Sequence, residues 1–192
     1  MSVIYNNIEY FYQDHEPYDN GYLYDGAIER FDVLLPLSYS SLLDVGSGPC
    51  FLKQWLQQKQ INCSYEAVDV RENSLALCGC TTYTETPLNK NYELVCLFET
   101  VGFNIDFDVQ KNKTIFIDLM TKAKQVSTKY VVCTVYNESK KEEHFVSDKN
   151  SLVWFNKEEL EQILNDIGYT NYSIFIREDL HKFLYHIICD VS

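Results

Sequence analysis

Apolar residues in this 192-residue chain fall into short continuous runs separated by stretches of helical spacing. Strands buried on both faces and the helices that cover them give this pattern. Leu42-Leu43-Asp44-Val45 reads as the end of one such strand, Ser64-Tyr65-Glu66-Ala67-Val68-Asp69-Val70 as a second, and residues 92–98 as a third. Residues 130–136 have the strongest β-branched content. Thr81-Thr82-Tyr83-Thr84 is a shorter β-forming run. Between these runs, Phe51, Leu52, Trp55 and Leu56 share one face of a helix reaching about Gln60. Phe116, Leu119, Met120 and Ala123 mark another over about 107–124, and residues 22–36 read as a helix stopped by Pro36. A short helical stretch is expected through Leu77. Asn156 is placed to cap a further helix, with Glu159 three residues on, an apolar stripe at Leu160, Ile163, Leu164 and Ile167, and Gly168 to end it. Residues 172–176 and 183–189 are joined by a short polar turn, which allows an antiparallel hairpin and no crossover. Residues 137–150 are charged and predict a solvated loop. The alternation predicts an α/β domain.

The first strand runs into Asp44-Val45-Gly46-Ser47-Gly48-Pro49-Cys50, a turn with little side-chain bulk, followed at once by a helix. Glycine suits backbone conformations closed to other residues and lets a ligand come close. Pro49 suits a helix entrance, where a missing N–H costs nothing. A strand, a glycine turn and a helix N-terminus form a nucleotide-type site at the carboxyl end of a parallel strand. Asp69 ends the second strand about twenty residues later, where such folds place a carboxylate against ribose hydroxyls. A nicotinamide-binding turn reads Gly-x-Gly-x-x-Gly, and Phe51 stands where its last glycine falls.

The acidic-x-Gly-x-Gly turn together with Asp69 resembles the class I S-adenosylmethionine-dependent methyltransferases. Asp44, Gly46 and Gly48 match that family's first motif, while Cys50 replaces its usual third glycine. Tyr92-Glu93-Leu94-Val95 is similar to the family's fourth strand, with Glu93 in place of aspartate. The resemblance covers residues 22–192. It implies a single-domain, doubly wound, seven-stranded sheet, mostly parallel with a reversed last strand, the Rossmann-like methyltransferase fold. It further implies S-adenosylmethionine as cofactor, with residues 46–48, Ser47 among them, facing the methionine part and Asp44 its amino group. Asp69 would take the ribose hydroxyls, Val70 would flank the adenine, and Glu85, just past the short Thr81-Thr84 strand, would lie near it. Residues 1–21, rich in tyrosine, would form a lid over cofactor and substrate; packing of the rings on the sheet flank explains them equally well.

Charge narrows the acceptor. The net charge of -12 and only three arginines, Arg30, Arg71 and Arg177, make a polyanionic nucleic acid an unfavourable partner. The Pro-Pro-aromatic signature of amino-methylating DNA enzymes is absent after residue 98, where the chain reads Glu99-Thr100-Val101, and the lone Pro-Cys pair, Pro49-Cys50, lies inside the turn. A small molecule is the expected substrate, methylated on oxygen or nitrogen, with a protein side chain as the other option. His15 and Glu99 are the candidate bases for removing the acceptor's proton. A non-catalytic cofactor-binding protein or partner subunit, and an enzyme that cleaves the same cofactor, are the competing readings. No apolar run is long enough to cross a membrane. Seven scattered cysteines predict reduced thiols in a cytoplasmic protein. Cys78-Gly79-Cys80 lacks the spacing and second pair of a zinc site, so no metal is expected.

Overall fold

In the computed structural model, residues 2–5, 8–11, 29–48, 50–70, 75, 76, 78–100, 109–143, 152–178 and 181–192 are described. β1 (Ser2–Tyr5) and β2 (Ile8–Phe11) pair antiparallel as a separate two-stranded sheet. The remainder of the proposed lid, His15 included, lies outside the described residues.

The main sheet contains β3 (Ser41–Val45), β4 (Ser64–Val68), β5 (Thr81–Tyr83), β6 (Tyr92–Phe98), β7 (Ser127–Asn137), β9 (Asn171–Arg177) and β10 (His181–Asp190), with β8 (Trp154–Phe155) paired to β7. Its order is β5-β4-β3-β6-β7-β10-β9. β10 alone runs against its neighbours, antiparallel to both β7 and β9. This is the expected seven-stranded, doubly wound arrangement with a reversed last strand. Among the described residues no helix is long and apolar enough to cross a membrane.

Alternation along β3 sorts its side chains between two layers. Leu43 and Val45 face α2 (Val109–Val126) and α3 (Lys157–Ile167), packing with Val95, Leu97, Phe116, Met120, Leu160 and Leu164. Leu42 faces the other layer, where Leu52, Trp55 and Leu56 of α1 (Phe51–Gln58) meet Phe31 and Leu34. Trp55 is fully buried, and its Nε1–H donates to Asp32 Oδ1 at 3.0 Å, so its one polar atom is satisfied. α3 starts at the predicted cap, where Asn156 Oδ1 accepts the Glu159 N–H at 2.8 Å, and stops at Gly168 with φ 89°. The Glu159 carboxylate does not turn back to close a capping box. It accepts from Lys113 Nζ of α2 at 2.6 Å and ties the two helices together.

Several expectations need correction. The predicted helix over residues 22–36 is, in its described part, a 3-10 helix at Glu29–Leu34, and the first half of residues 137–150 is a second one at Glu138–Glu143. β8 was not foreseen, because two residues are too few for any period. It pairs with Tyr136 and Asn137 of β7, beyond the point where β6 ends opposite Thr134. The chain is not wholly reduced either: Cys50 and Cys78 form a disulfide, and the other five cysteines are free.

Candidate cofactor site

Neighbours β4 and β6 lie on opposite sides of β3, so the sheet's winding reverses there, and the carboxyl end of β3 is the switch point of the fold. The chain leaves β3 through Gly46 (φ 74°) and Gly48 (φ 53°). The Gly46 and Ser47 N–H groups both donate to Val68 O, at 2.7 and 3.0 Å, and Gly48 N–H donates to Asp69 Oδ2 at 2.8 Å. Cys50 N–H donates to Ser47 O at 3.0 Å, and proline has no N–H to give at 49. The backbone N–H groups of residues 46, 47, 48 and 50 are therefore all consumed within the protein. A phosphate-cradling loop needs such donors free.

The need for glycine at 46 has a second cause that the sequence did not reveal. A Cβ there would stand 2.4 Å from Thr100 Cγ2, because Thr100, just past β6, folds over the turn and donates its hydroxyl to Val45 O at 2.6 Å. Packing and backbone strain, not ligand access alone, hold this position.

Two carboxylates flank the turn. Asp44 is buried, with Oδ2 accepting from the Tyr65 hydroxyl at 2.6 Å. Burial pushes its pKa up to about 7; the Tyr65 hydrogen bond and the Arg30 guanidinium pull downward, and Asp69 pushes upward. Asp69 is also buried and divides its role, bracing Gly48 while its own N–H donates to Tyr83 O at 3.1 Å. Val70 is half-buried beside it. Glu85 is exposed, two residues beyond the end of β5. A depression of about 350 Å³ opens beside β5, lined by Leu75, Ala76, Thr82, Tyr83 and Thr84.

Glu99 lies at the carboxyl end of β6 with φ 53°, its N–H donating to Thr134 Oγ1 at 2.9 Å. Its carboxylate is already engaged: Oε1 pairs with Arg30 Nη1 at 2.6 Å, and Oε2 accepts from the Tyr136 hydroxyl at 3.4 Å. Arg30 is the residue that sequence reasoning missed. It stacks over Phe31 with 4.8 Å from Cζ to the ring centroid, and its Nε is buried without a hydrogen-bond partner among the described residues. A lone arginine before the glycine turn carries no periodic signal, so only the fold could reveal it. His15, the other candidate base, lies outside the described residues.

No protein-family profile matches the chain, and no curated protein matches it in sequence. Solved structures do match in fold. A SAM-dependent methyltransferase from Archaeoglobus fulgidus aligns at TM-score 0.62 and 14% identity, over 85% of this chain and 92% of that one. Magnesium protoporphyrin IX methyltransferase from Synechocystis, with bound SAH, aligns at TM-score 0.61 and 11% identity, over 88% and 81%. A putative O-methyltransferase from Nostoc punctiforme aligns at 0.59 and 14%, with 85% of this chain covering 55% of that protein. The chain thus spans about half the length of the last. At these identities the likeness is one of fold.

Proposed function

We propose that the protein binds S-adenosylmethionine at the carboxyl ends of β3 and β4 and is a methyltransferase acting on oxygen or nitrogen of a small molecule, or of a protein side chain. The observation that carries the reading is the turn at 46–50. Its donors are spent internally and two carboxylates stand beside it. This arrangement disfavours a pyrophosphate and suits a ligand with an ammonium, a sulfonium and ribose hydroxyls. When bound, the cofactor supplies a methyl group on a sulfonium leaving group.

The protein's own part is to bind and align. Asp44 would take the ammonium, and Asp69 would use its remaining acceptor capacity for the ribose. Val70 and the depression lined by Leu75, Thr82 and Thr84 would hold the adenine, with Glu85 at its rim. The unpartnered Arg30 Nε supports a role for that guanidinium toward the ligand's carboxylate. Removal of the acceptor proton falls to Glu99 or His15. For Glu99 this requires release from Arg30.

That engagement also favours a second reading, a cofactor-binding protein or partner subunit without catalysis. Incubation with S-adenosylmethionine and candidate acceptors, followed by mass spectrometry, separates the possibilities. A methylated acceptor with S-adenosylhomocysteine supports transfer, a split cofactor indicates cleavage, and intact cofactor despite saturable binding indicates the non-catalytic protein. The net charge of -12 keeps nucleic acid an unfavourable acceptor; the five free cysteines go with a cytoplasmic setting, while the Cys50–Cys78 bridge goes against a wholly reducing one.

A further inference from the structure

The proposed cofactor site leaves one cluster unexplained. Cys50 replaces the small residue that would end the turn, adopts φ 62° immediately before α1, and is bonded to Cys78 across 28 residues. Cys80 completes a group of three sulfur atoms, all within 4.8 Å of one another. Lys53 of α1 donates to the Cys78 and Gly79 carbonyls, both at 2.7 Å, and holds the Cys78-Gly79-Cys80 segment against the helix. Cys78 Sγ also lies 3.7 Å from Gly48 O, so the bridge rests directly on the glycine turn. Cys50 and Cys78 are 2% and 4% exposed, whereas Cys80 is half-exposed. A reductant in solution meets Cys80 before it meets the disulfide.

We infer that Cys50, Cys78 and Cys80 form a thiol–disulfide exchange site, in which Cys80 relays electrons from a glutathione-class thiol to the buried bridge and so makes the shape of the glycine turn redox-dependent. The Cys80 thiolate attacks Cys50 Sγ, a Cys50–Cys80 bond forms, and Cys78 leaves as a thiolate that takes up the proton Cys80 gave. An external thiolate then attacks Cys80 Sγ, releasing Cys50 and leaving a mixed disulfide on the exposed sulfur. A second external thiol removes that adduct as its own disulfide. The protein gains two electrons and two protons, and two external thiols are oxidised to one disulfide. Burial, with smaller pushes from Asp44 and Glu66, raises the pKa of the Cys80 thiol, and the Lys53 ammonium offsets part of that rise. The effect on the turn rests on the cofactor reading above; the exchange chemistry does not.

The test reduces the oxidised full-length protein with glutathione and follows the bridge by differential alkylation and peptide mass spectrometry. Cys80→Ser should slow reduction by about tenfold or more, while Cys63→Ser, the other half-exposed free thiol, should leave the rate unchanged. Equal rates in wild type and Cys80→Ser would overturn the relay. Stoichiometric zinc in the purified protein, with all three thiols shielded from alkylation, would overturn it in favour of a thiolate metal centre. Titration of both redox forms with S-adenosylhomocysteine tests the coupling separately. A difference in affinity supports it, and equal affinities overturn it while the cofactor reading stands. Absence of binding to either form removes the cofactor reading and the coupling together, leaving the exchange rates to decide the relay.

Discussion

The carboxyl ends of β3 and β6 lie side by side, yet they are built differently. At β3 the turn satisfies its own backbone through Val68 and Asp69, and each contact joins residues about twenty apart in sequence. At β6 the contacts run to distant side chains: the Glu99 carboxylate reaches Arg30 across 69 residues and Tyr136 across 37, and the Glu99 N–H reaches the Thr134 hydroxyl across 35. The first end is a braced turn with two buried carboxylates beside it, Asp44 bonded by Tyr65 and Asp69 by Gly48. The second is an ion pair ringed by hydroxyls, and a role for Glu99 as base would require its release from Arg30. Under the proposed function, binding would rest on the β3 end and proton removal on the β6 end, so the two can be tested apart.

The largest expected effect comes from joining the two ends too tightly. Gly46→Ala places a methyl group against Thr100 at a left-handed backbone position, and should destabilise the fold by about 2–5 kcal/mol in urea denaturation. Adding Thr100→Ser removes the clashing methyl and should recover only part of that loss, because the backbone strain persists.

Asp44 supplies the next effect, and its sign follows from the raised pKa. The folded state holds a proton from the ordinary value of 3.8 up to about 7, where the unfolded chain has lost it. This group's contribution is therefore greatest below pH 4, falls as the pH rises toward 7, and is flat above. Tyr65, Arg30 and Asp69 act on it, and the Cys80 and Cys96 thiols also lie within its field. Asp44→Asn should flatten the stability profile between pH 5 and 7 and raise stability at pH 8. It should also weaken an ammonium-bearing ligand. In wild type, that ligand should bind more tightly as the pH rises through 7 and should release protons on binding, measurable by calorimetry in buffers of different ionisation enthalpy.

Asp69→Ala leaves the buried Gly48 N–H without its acceptor and should cost about 1–3 kcal/mol of stability. The smallest change in stability belongs to the β6 end. Breaking the half-buried pair with Glu99→Gln should cost about 1 kcal/mol or less and should not weaken cofactor affinity, since it frees Arg30 for the ligand's carboxylate. If turnover also survives unchanged, the base is elsewhere.

The same contrast explains what the sequence could disclose. β6 was legible because it is buried and nearly every residue is apolar, and β7 through the β-branched run of its buried second half; the turn was legible because two glycines and two acids have fixed spacing. Asn156 and Gly168 announced the ends of α3 through local backbone chemistry. β8 and the 3-10 form of residues 29–34 and 138–143 were not legible, since two and six residues are too few for a hydrophobic pattern to repeat. The Arg30–Glu99 pair and the Cys50–Cys78 bridge were hidden for another reason. Each depends on which strands lie side by side, and a one-dimensional pattern does not encode that. Thr100 shows the limit most clearly: it dictates the glycine at 46 from 54 positions away, without leaving a motif of its own.

The most direct test is calorimetric titration of the oxidised protein with S-adenosylhomocysteine, with NADH and the Asp69→Ala variant as controls. Saturable binding of S-adenosylhomocysteine, weakened by about tenfold or more in Asp69→Ala and absent for NADH, is the predicted result. Binding of NADH in place of S-adenosylhomocysteine would contradict the account, because the turn would then be accommodating a pyrophosphate with no free donors of its own.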